Sequence, residues 1–312
     1  MLIAAVVGGV VVLAWVLLNC KTSRPDGTLI ARVHPYRMML GHIMPHRDDA
    51  VVYFDTYARA DKLLAYVAKA REHFHCDMTH CLVAACMIGL TRAPRMNRFV
   101  VGRRLYQRNH QAITFSAKRV RKDHSAKLTA IKTTLREGET FRDLVTRIQG
   151  NIEVERSGKE TYVEKEMNLL ARIPRAVMVR AVGIAKWLDY HNLLPASFIK
   201  GDGMYTSIFV ANLGSIGMAA GYHHLYDWGT CPLFMMVGQV EERPMAVDGQ
   251  VVVERVIPIR WSYDERIDDA LNTRYGIDAV NEALENPEAF FGCLDPDGGD
   301  AHALDAFPVL KS

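Results

Sequence analysis

Charge of one sign is scarce in this chain. Thirty-eight Lys and Arg stand against 35 Asp and Glu, a net of +3. That is too little to hold a nucleic-acid backbone by electrostatics, so no nucleic-acid partner is expected. Cysteine is sparse and carries no CxxC step: Cys20, Cys76, Cys81, Cys86, Cys231 and Cys293 are scattered. A chain of 312 residues builds its core without disulfide staples, so reduced thiols are expected. From Leu29 onward there is no repeat, no low-complexity stretch and no evident domain break. With 49% hydrophobic and 23% charged residues, the composition is that of a globular protein.

Long apolar runs are also missing, with one exception. Met1 to Leu18 contains no charge and ends Trp15-Val16-Leu17-Leu18. As a helix it reaches ~27 Å at ~1.5 Å per residue, close to a hydrocarbon core of ~30 Å. No Lys or Arg precedes it, unlike the basic start of a secretory signal. Lys21, Arg24, Arg32 and Arg37 follow it. The expectation is a single transmembrane helix over 1–18, with the main domain on the cytoplasmic side. A cleaved signal peptide is the alternative, and lipidation at Cys20 is disfavoured by Asn19 before it. Residues 19–28 read as a short polar linker.

Beyond the linker, strands and helices alternate. Ala50–Asp55 reads as a strand and Arg59–His73 as a helix. Thr79 is placed to cap a buried helix that ends before Pro94. Gln111–Ala117 and Ala126–Leu135 read as strands joined by a basic turn. Thr140 and Asp143 start a helix with Phe141, Leu144, Val145, Ile148 and Ile152 on one face. Glu164–Ile173 and Arg175–His191 are two further helices, separated by Pro174. Thr206–Val210, Leu233–Val240 and Val256–Tyr263 are strands. Met245–Val253 is a hairpin, because Asp248-Gly249 supplies the positive φ angles of a tight turn. Ile277–Leu284 closes the chain with a helix. This order suggests an α/β sandwich, a sheet with helices on one side.

Several motifs then carry a resemblance. Ser207-Ile-Phe-Val-Ala-Asn-Leu-Gly-Ser-Ile-Gly217 is similar to a strand and turn of dihydrolipoyl acyltransferase catalytic domains, the cores of 2-oxo acid dehydrogenase complexes. Val237-Gly238, Arg243-Pro244, Val247-Asp248-Gly249 and Ser262-Tyr-Asp-Glu-Arg-Ile-Asp-Asp-Ala270 follow at nearly that family's spacing. Pro45-His46, Pro94–Asn97 and Asn286-Pro287-Glu288 resemble its other parts, so the likeness spans about 29–292. It implies a chloramphenicol acetyltransferase-like sandwich, a mixed sheet with helices packed on one side. It also implies a homotrimer with sites between subunits, with cage assembly left open. In that family a histidine takes the proton of a coenzyme A or lipoyl thiol, and a serine hydroxyl holds the oxyanion.

The departures fall on those two groups. The histidine position holds Glu265 and the serine position Ala211, with Asn212 next to it. Asp264 and Arg266 remain as the family's structural ion pair, Asp269 remains, and the motif's last glycine is Ala270. A free glutamate has a pKa of ~4.3 against ~6.5 for histidine and ~8.5 for a thiol. Glu265 is therefore a weak base for that chemistry, although burial raises a carboxyl.

Other clusters keep two readings. His73, His75, Cys76, His80 and Cys81 lack zinc-ligand spacing and point to packing rather than a metal. His223-His224 sits in a loop that is either solvated or a source of a replacement base. Lys118, Arg119, Arg121, Lys122 and Lys127 form either a solvated hairpin tip or a site for coenzyme A phosphates or anionic headgroups. The segment 160–200 is longer than its family counterpart. It fits an interfacial helix, a lid, a subunit contact or buried packing. The tail 293–312 is either disordered or docked on another subunit. Two functions follow. The first is a membrane-anchored, non-catalytic protein that binds an acyl or lipid ligand or acts as an assembly scaffold. The second is an acyltransferase using acyl-CoA or an acyl carrier with rearranged residues. A lipoyl domain has no room between anchor and core, and a coenzyme A thioester is the one cofactor the resemblance suggests.

Overall fold

The computed structural model describes residues 2–118, 128–156 and 173–310. Its first element, α1 (Leu2–Cys20), is a 19-residue helix. The window Ile3–Cys20 has mean hydropathy 2.4, and none of it is buried in the chain. This is one helix long and apolar enough to cross a membrane.

The stretch after α1 is not a free linker. Arg24 and Asp26 are buried and paired at 2.6 Å, and β1 (Gly27–Leu29) begins at once. An ion pair that far from water needs further partners. Arg108 supplies one, 3.3 Å from Asp26. Burial pulls the Arg108 guanidinium down to about 10, although Asp26 faces it. β1 pairs with β4 (Arg104–Arg108), which pairs with β3 (Arg98–Val101), forming a small antiparallel sheet. α2 (Pro35–Ile43) lies between β1 and β3 in the chain.

The main sheet has seven strands. These are β2 (Val51–Arg59), β5 (Ala112–Lys118), β6 (Leu128–Thr134), β7 (Ile208–Asn212), β8 (Leu233–Val237), β9 (Glu241–Val247) and β10 (Gln250–Asp264). The order is β2-β10-β8-β7-β5-β6, with β9 paired to β10. β7 runs parallel to both β5 and β8, and the other pairs are antiparallel. The sheet is therefore mixed, as the resemblance implied. Period-two alternation sorts its faces. Ile208, Val210, Leu233, Met235, Val237, Ile257, Ile259 and Trp261 turn to the main core. There they meet α3 (Asp61–Ala70), α4 (Met78–Arg92), α5 (Phe141–Arg156) and α8 (Ala270–Glu285). Phe209, Phe234 and Met236 turn to the other face, under Leu225 and Cys231.

Several boundaries moved. The strand expected at Ala50–Asp55 runs on to Arg59, and the helix after it spans only Asp61–Ala70. Thr79 does not cap α4. Asp77 does, accepting from the amides of Thr79 and His80, while His80 Nδ1 accepts from the Asp77 amide. Asp248 (φ 50°) and Gly249 (φ 77°) make the expected β9–β10 turn. α8 starts at Ala270, seven residues before the expected helix.

α6 (Arg175–Tyr190) forms as expected, but none of its residues is buried, so it is not a core helix. α7 (Ala196–Gly201) and α9 (Pro287–Phe291) complete the described helices. The tail docks on its own chain. Leu304 is fully buried, Ala303 bridges to Thr140, and the Leu310 amide donates to Arg92 O. Arg119, Arg121, Lys122 and Lys127 lie outside the described residues, as does nearly all of the Glu164–Ile173 helix.

Candidate functional site

The expected site residues fall in two places. Glu265 is the first residue past β10. Its amide donates to Ala50 O at 3.0 Å, and its own carbonyl accepts from Arg37 Nη1 at 3.0 Å. The backbone is thus pinned on both sides, while the half-buried carboxylate makes no side-chain hydrogen bond among the described residues. Beneath it Arg266 grips Asp264 as a two-pronged pair, Nε to Oδ1 at 2.8 Å and Nη2 to Oδ2 at 2.7 Å. Arg266 Nη1 also donates to the carbonyls of Met44 and Pro45. This buried fork fixes the turn that presents Glu265.

Asp269 is exposed, and its carboxylate caps α8 by accepting from the Asn272 amide at 3.1 Å. The sequence reading grouped it with the catalytic residues; its geometry is that of a helix cap. The acid buried at this end is Asp268. It is 2.7 Å from Arg95, 3.6 Å from Arg98 and 3.9 Å from Arg37. Three arginines around one carboxylate were not legible, because they come from α2, the turn between α4 and β3, and the start of β3.

Ala211 and Asn212 are elsewhere. In register, Ala211 pairs with Met236 on β8, and Met236 with Arg260 on β10. Glu265 is five residues further along β10 and two strands across, so roughly 15–20 Å separates the two positions at ~3.3 Å per residue and ~4.8 Å per strand. One protomer does not bring them together.

Ala211 instead lines a cavity of about 460 Å³, within the range of small-molecule sites. Its apolar wall is Phe115, Ile148, Ile152, Phe209, Phe234 and Met236. Its polar rim includes Asn212, Thr79, Ser116 and Tyr226. Asn212 is held at both ends. Its amide nitrogen donates to Thr79 Oγ1 at 3.2 Å, and its oxygen accepts from the Ser215 amide. The Leu213–Ile216 turn closes down on the sheet because Gly214 has no side chain. A Cβ there would meet Gly238 O at 2.5 Å.

Three histidines face this cavity, a convergence that spacing alone did not reveal. His223 stacks on Phe234, centroids 4.2 Å apart and 10° from parallel, and its Nε2 is 3.4 Å from the Tyr226 hydroxyl. His80 is buried. Its Nδ1 lies 3.1 Å from the Asp77 amide and 3.0 Å from Asp77 Oδ1, and its Nε2 lies 2.9 Å from Gln149 Nε2. Burial pushes the Asp77 carboxyl up, but the His80 ring beside it and the amides of His80 and Thr79 outweigh burial and hold Asp77 at about 2. His75 lies edge-on to His80 at 5.9 Å. His224 turns outward, stacked on His223 and 3.8 Å from Asp48. Among the described residues no group of three or more His, Cys, Asp or Glu converges on a metal geometry. Cys81 and Cys86 are core residues.

Residues 200–292 match the model for 2-oxoacid dehydrogenases acyltransferase (catalytic domain). The lipoamide acyltransferase component of the branched-chain alpha-keto acid dehydrogenase complex of Pseudomonas putida is 36% identical over 55 residues. That stretch is 18% of this chain and only 13% of that protein's length. A probable dihydrolipoamide acetyltransferase from Listeria monocytogenes 4b F2365 superposes with TM-score 0.54 at 13% identity, over 86% of this chain and 96% of that one. The Azotobacter vinelandii dihydrolipoamide acetyltransferase gives 0.54 at 16%, over 86% and 98%. The cubic core of the pyruvate dehydrogenase multienzyme complex gives 0.53 at 15%, over 86% and 98%. At such identities the likeness is one of fold.

Proposed function

Because residues 200–292 match the model for 2-oxoacid dehydrogenases acyltransferase (catalytic domain), we propose that the chain is a membrane-anchored, trimeric member of that family. In this reading it binds an acyl or lipid-like ligand and no longer performs thiol-activated acyl transfer. The observation that carries this reading is the cavity beside Ala211. It keeps ligand-sized volume and an apolar wall, while a methyl group stands where the oxyanion hydroxyl is expected. Glu265, in the histidine position, leaves no imidazolium beside a thiolate after proton transfer, so the charge stabilisation of that step is absent. The trimer reading is supported by the separation of Glu265 from Ala211, which only a neighbouring copy can close. The membrane reading is supported by α1 and by the apolar surface of α6, where Val179, Ile184 and Trp187 are exposed. An anchor, a scaffold role and cytoplasmic placement of the domain belong to the same proposal.

The test is acyl transfer from acetyl-CoA and longer acyl-CoA thioesters with purified full-length protein. Wild type is expected to bind an acyl ligand without turnover. Wild-type transfer that Glu265→Gln abolishes refutes the reading. Glu265→His combined with Ala211→Ser is expected to gain measurable transfer.

One observation favours a second reading, an active acyltransferase with a rearranged base. His223 lines the same cavity as Ala211 and Asn212. Turnover that survives Glu265→Gln and disappears in His223→Ala selects it.

A further inference from the structure

A second cavity, of about 410 Å³, opens between α2, the β3–β4 turn and the C-terminal end of α6. Its charged lining includes Arg47, Arg103, Lys186, Asp189, Asp227 and Arg266. Most of these charges are matched. Asp264 holds Arg266. Lys186 lies 3.2 Å from Asp227, which His46 also approaches at 3.4 Å. Asp189 is 3.3 Å from Arg24. Arg24 and Arg108 together face Asp26 and Asp189, two guanidinium groups for two carboxylates.

Arg47 and Arg103 remain, with no carboxylate within 4 Å among the described residues. Arg103 is exposed at the turn. Arg47 is only 7% exposed, and its one side-chain hydrogen bond among the described residues runs from Nη1 to Tyr226 O at 3.0 Å. A buried guanidinium held by a single neutral carbonyl is costly, because a desolvated charge needs an opposite one. A planar fork with most of its donors unused matches phosphoryl oxygens. Asp264 and Asp189 attract Arg47 from beyond contact distance, but each is already paired with another arginine. The excess positive charge of Arg47 and Arg103 matches the one or two negative charges of a phosphate ester, and the volume exceeds what a lone carboxylate fills.

We propose that this cavity binds the phosphoryl group of a phosphate ester, gripped by buried Arg47 and exposed Arg103. Two sources share that chemistry, an anionic phospholipid headgroup and a soluble glycerophosphate. The surroundings favour the lipid. Arg104, next to Arg103, donates to the carbonyl of Asn19 at the end of α1. The two helices bordering the cavity expose Tyr36, Met38, Met39 and Ile43 on α2, and Ile184 and Trp187 on α6. This preference, unlike the phosphoryl site itself, rests on the reading of α1 as a membrane span.

The experiment uses full-length protein in dodecyl maltoside. It is titrated with monomeric dihexanoyl-phosphatidylglycerol, dihexanoyl-phosphatidylcholine and sn-glycerol 3-phosphate, and read by native mass spectrometry and thermal melting. Phosphatidylglycerol is expected to bind and raise Tm, and phosphatidylcholine, with no net charge, to bind at least about tenfold more weakly. Arg47→Met and Arg103→Gln are each expected to weaken binding by about tenfold or more, the loss of a charge-assisted hydrogen bond. Arg103 is exposed, so its variant keeps the test decisive if Arg47→Met fails to fold. Glycerol 3-phosphate binding as tightly as the lipid, and lost in the same variants, supports the site and assigns the soluble source. No binding of either anion, equal binding of phosphatidylcholine, or affinity unchanged in the variants overturns the proposal. Because every probe is monomeric, the outcome is independent of whether α1 spans a bilayer, which carbonate extraction of membranes decides separately.

Discussion

The Asp264–Arg266 pair allows a sharp perturbation. Asp264 is fully buried and Arg266 is 4% exposed, and Arg266 makes two bonds to the carboxylate and two to backbone carbonyls. In Arg266→Ala the buried carboxylate loses both side-chain donors and keeps only the backbone amide of residue 266, at 3.1 Å. Breaking one side of such a pair costs about 3–5 kcal/mol. Arg266→Lys keeps the charge but not the fork, and is expected to cost about 2 kcal/mol. Asp264→Leu with Arg266→Met removes both charges and should be less destabilised than Arg266→Ala. Urea titration in detergent, read by circular dichroism and by emission from the buried Trp261, measures all three. A loss under about 1 kcal/mol in Arg266→Ala, or a double variant worse than the single, refutes the view that a dry ion pair supports the Glu265 turn.

Three further outcomes are expected. Asp77 titrates at about 2 when folded against ~3.9 unfolded. Its folded pKa is depressed, so its contribution is complete above about pH 5 and disappears as pH falls toward 2; about 2 kcal/mol is lost there, and Asp77→Asn flattens that limb of the urea-midpoint profile. Asp269→Ala is expected to cost about 1 kcal/mol through the lost α8 cap and to leave acyl-ligand affinity unchanged, whereas a tenfold affinity loss would restore it to the site. Gly214→Ala forces the Leu213–Ile216 turn off Gly238, costing about 1–3 kcal/mol and loosening acyl-ligand binding, as isothermal titration of the two proteins would report.

Much of the fold was legible because its signals are local. Asp248-Gly249 sets two positive φ angles, and a hairpin follows. The 207–217 motif carries both β7 and its glycine turn, since Gly214 must lie against Gly238. What was missed depends on distant partners. β1, β3 and β4 span only three to five residues each, too short for periodicity to register. Asp77 outcompeted Thr79 as a cap because His80, on the following turn, reaches back to its amide. Asp269 looked catalytic by position, but a carboxylate one residue before a helix has a nearer use. The charged cavity draws on Arg47, Arg103, Lys186 and Arg266 from four separate elements, which no sequence window contains. The histidine-lined cavity joins residues 75, 80 and 223 in the same way. Of the basic turn, only Lys118 falls among the described residues, closing β5.

The cysteines offer a practical handle. Cys76, Cys81, Cys86, Cys231 and Cys293 are buried, and Cys20 alone is exposed. Burial raises the thiols of Cys81, Cys86 and Cys293 and pushes Cys231 up to about 11, so few thiolates are available there to react. A maleimide dye on the native protein should therefore mark one position, the last residue of α1. An environment-sensitive label at that residue becomes a depth gauge, reporting whether the helix end sits among headgroups or in bulk water, with no engineered mutation required.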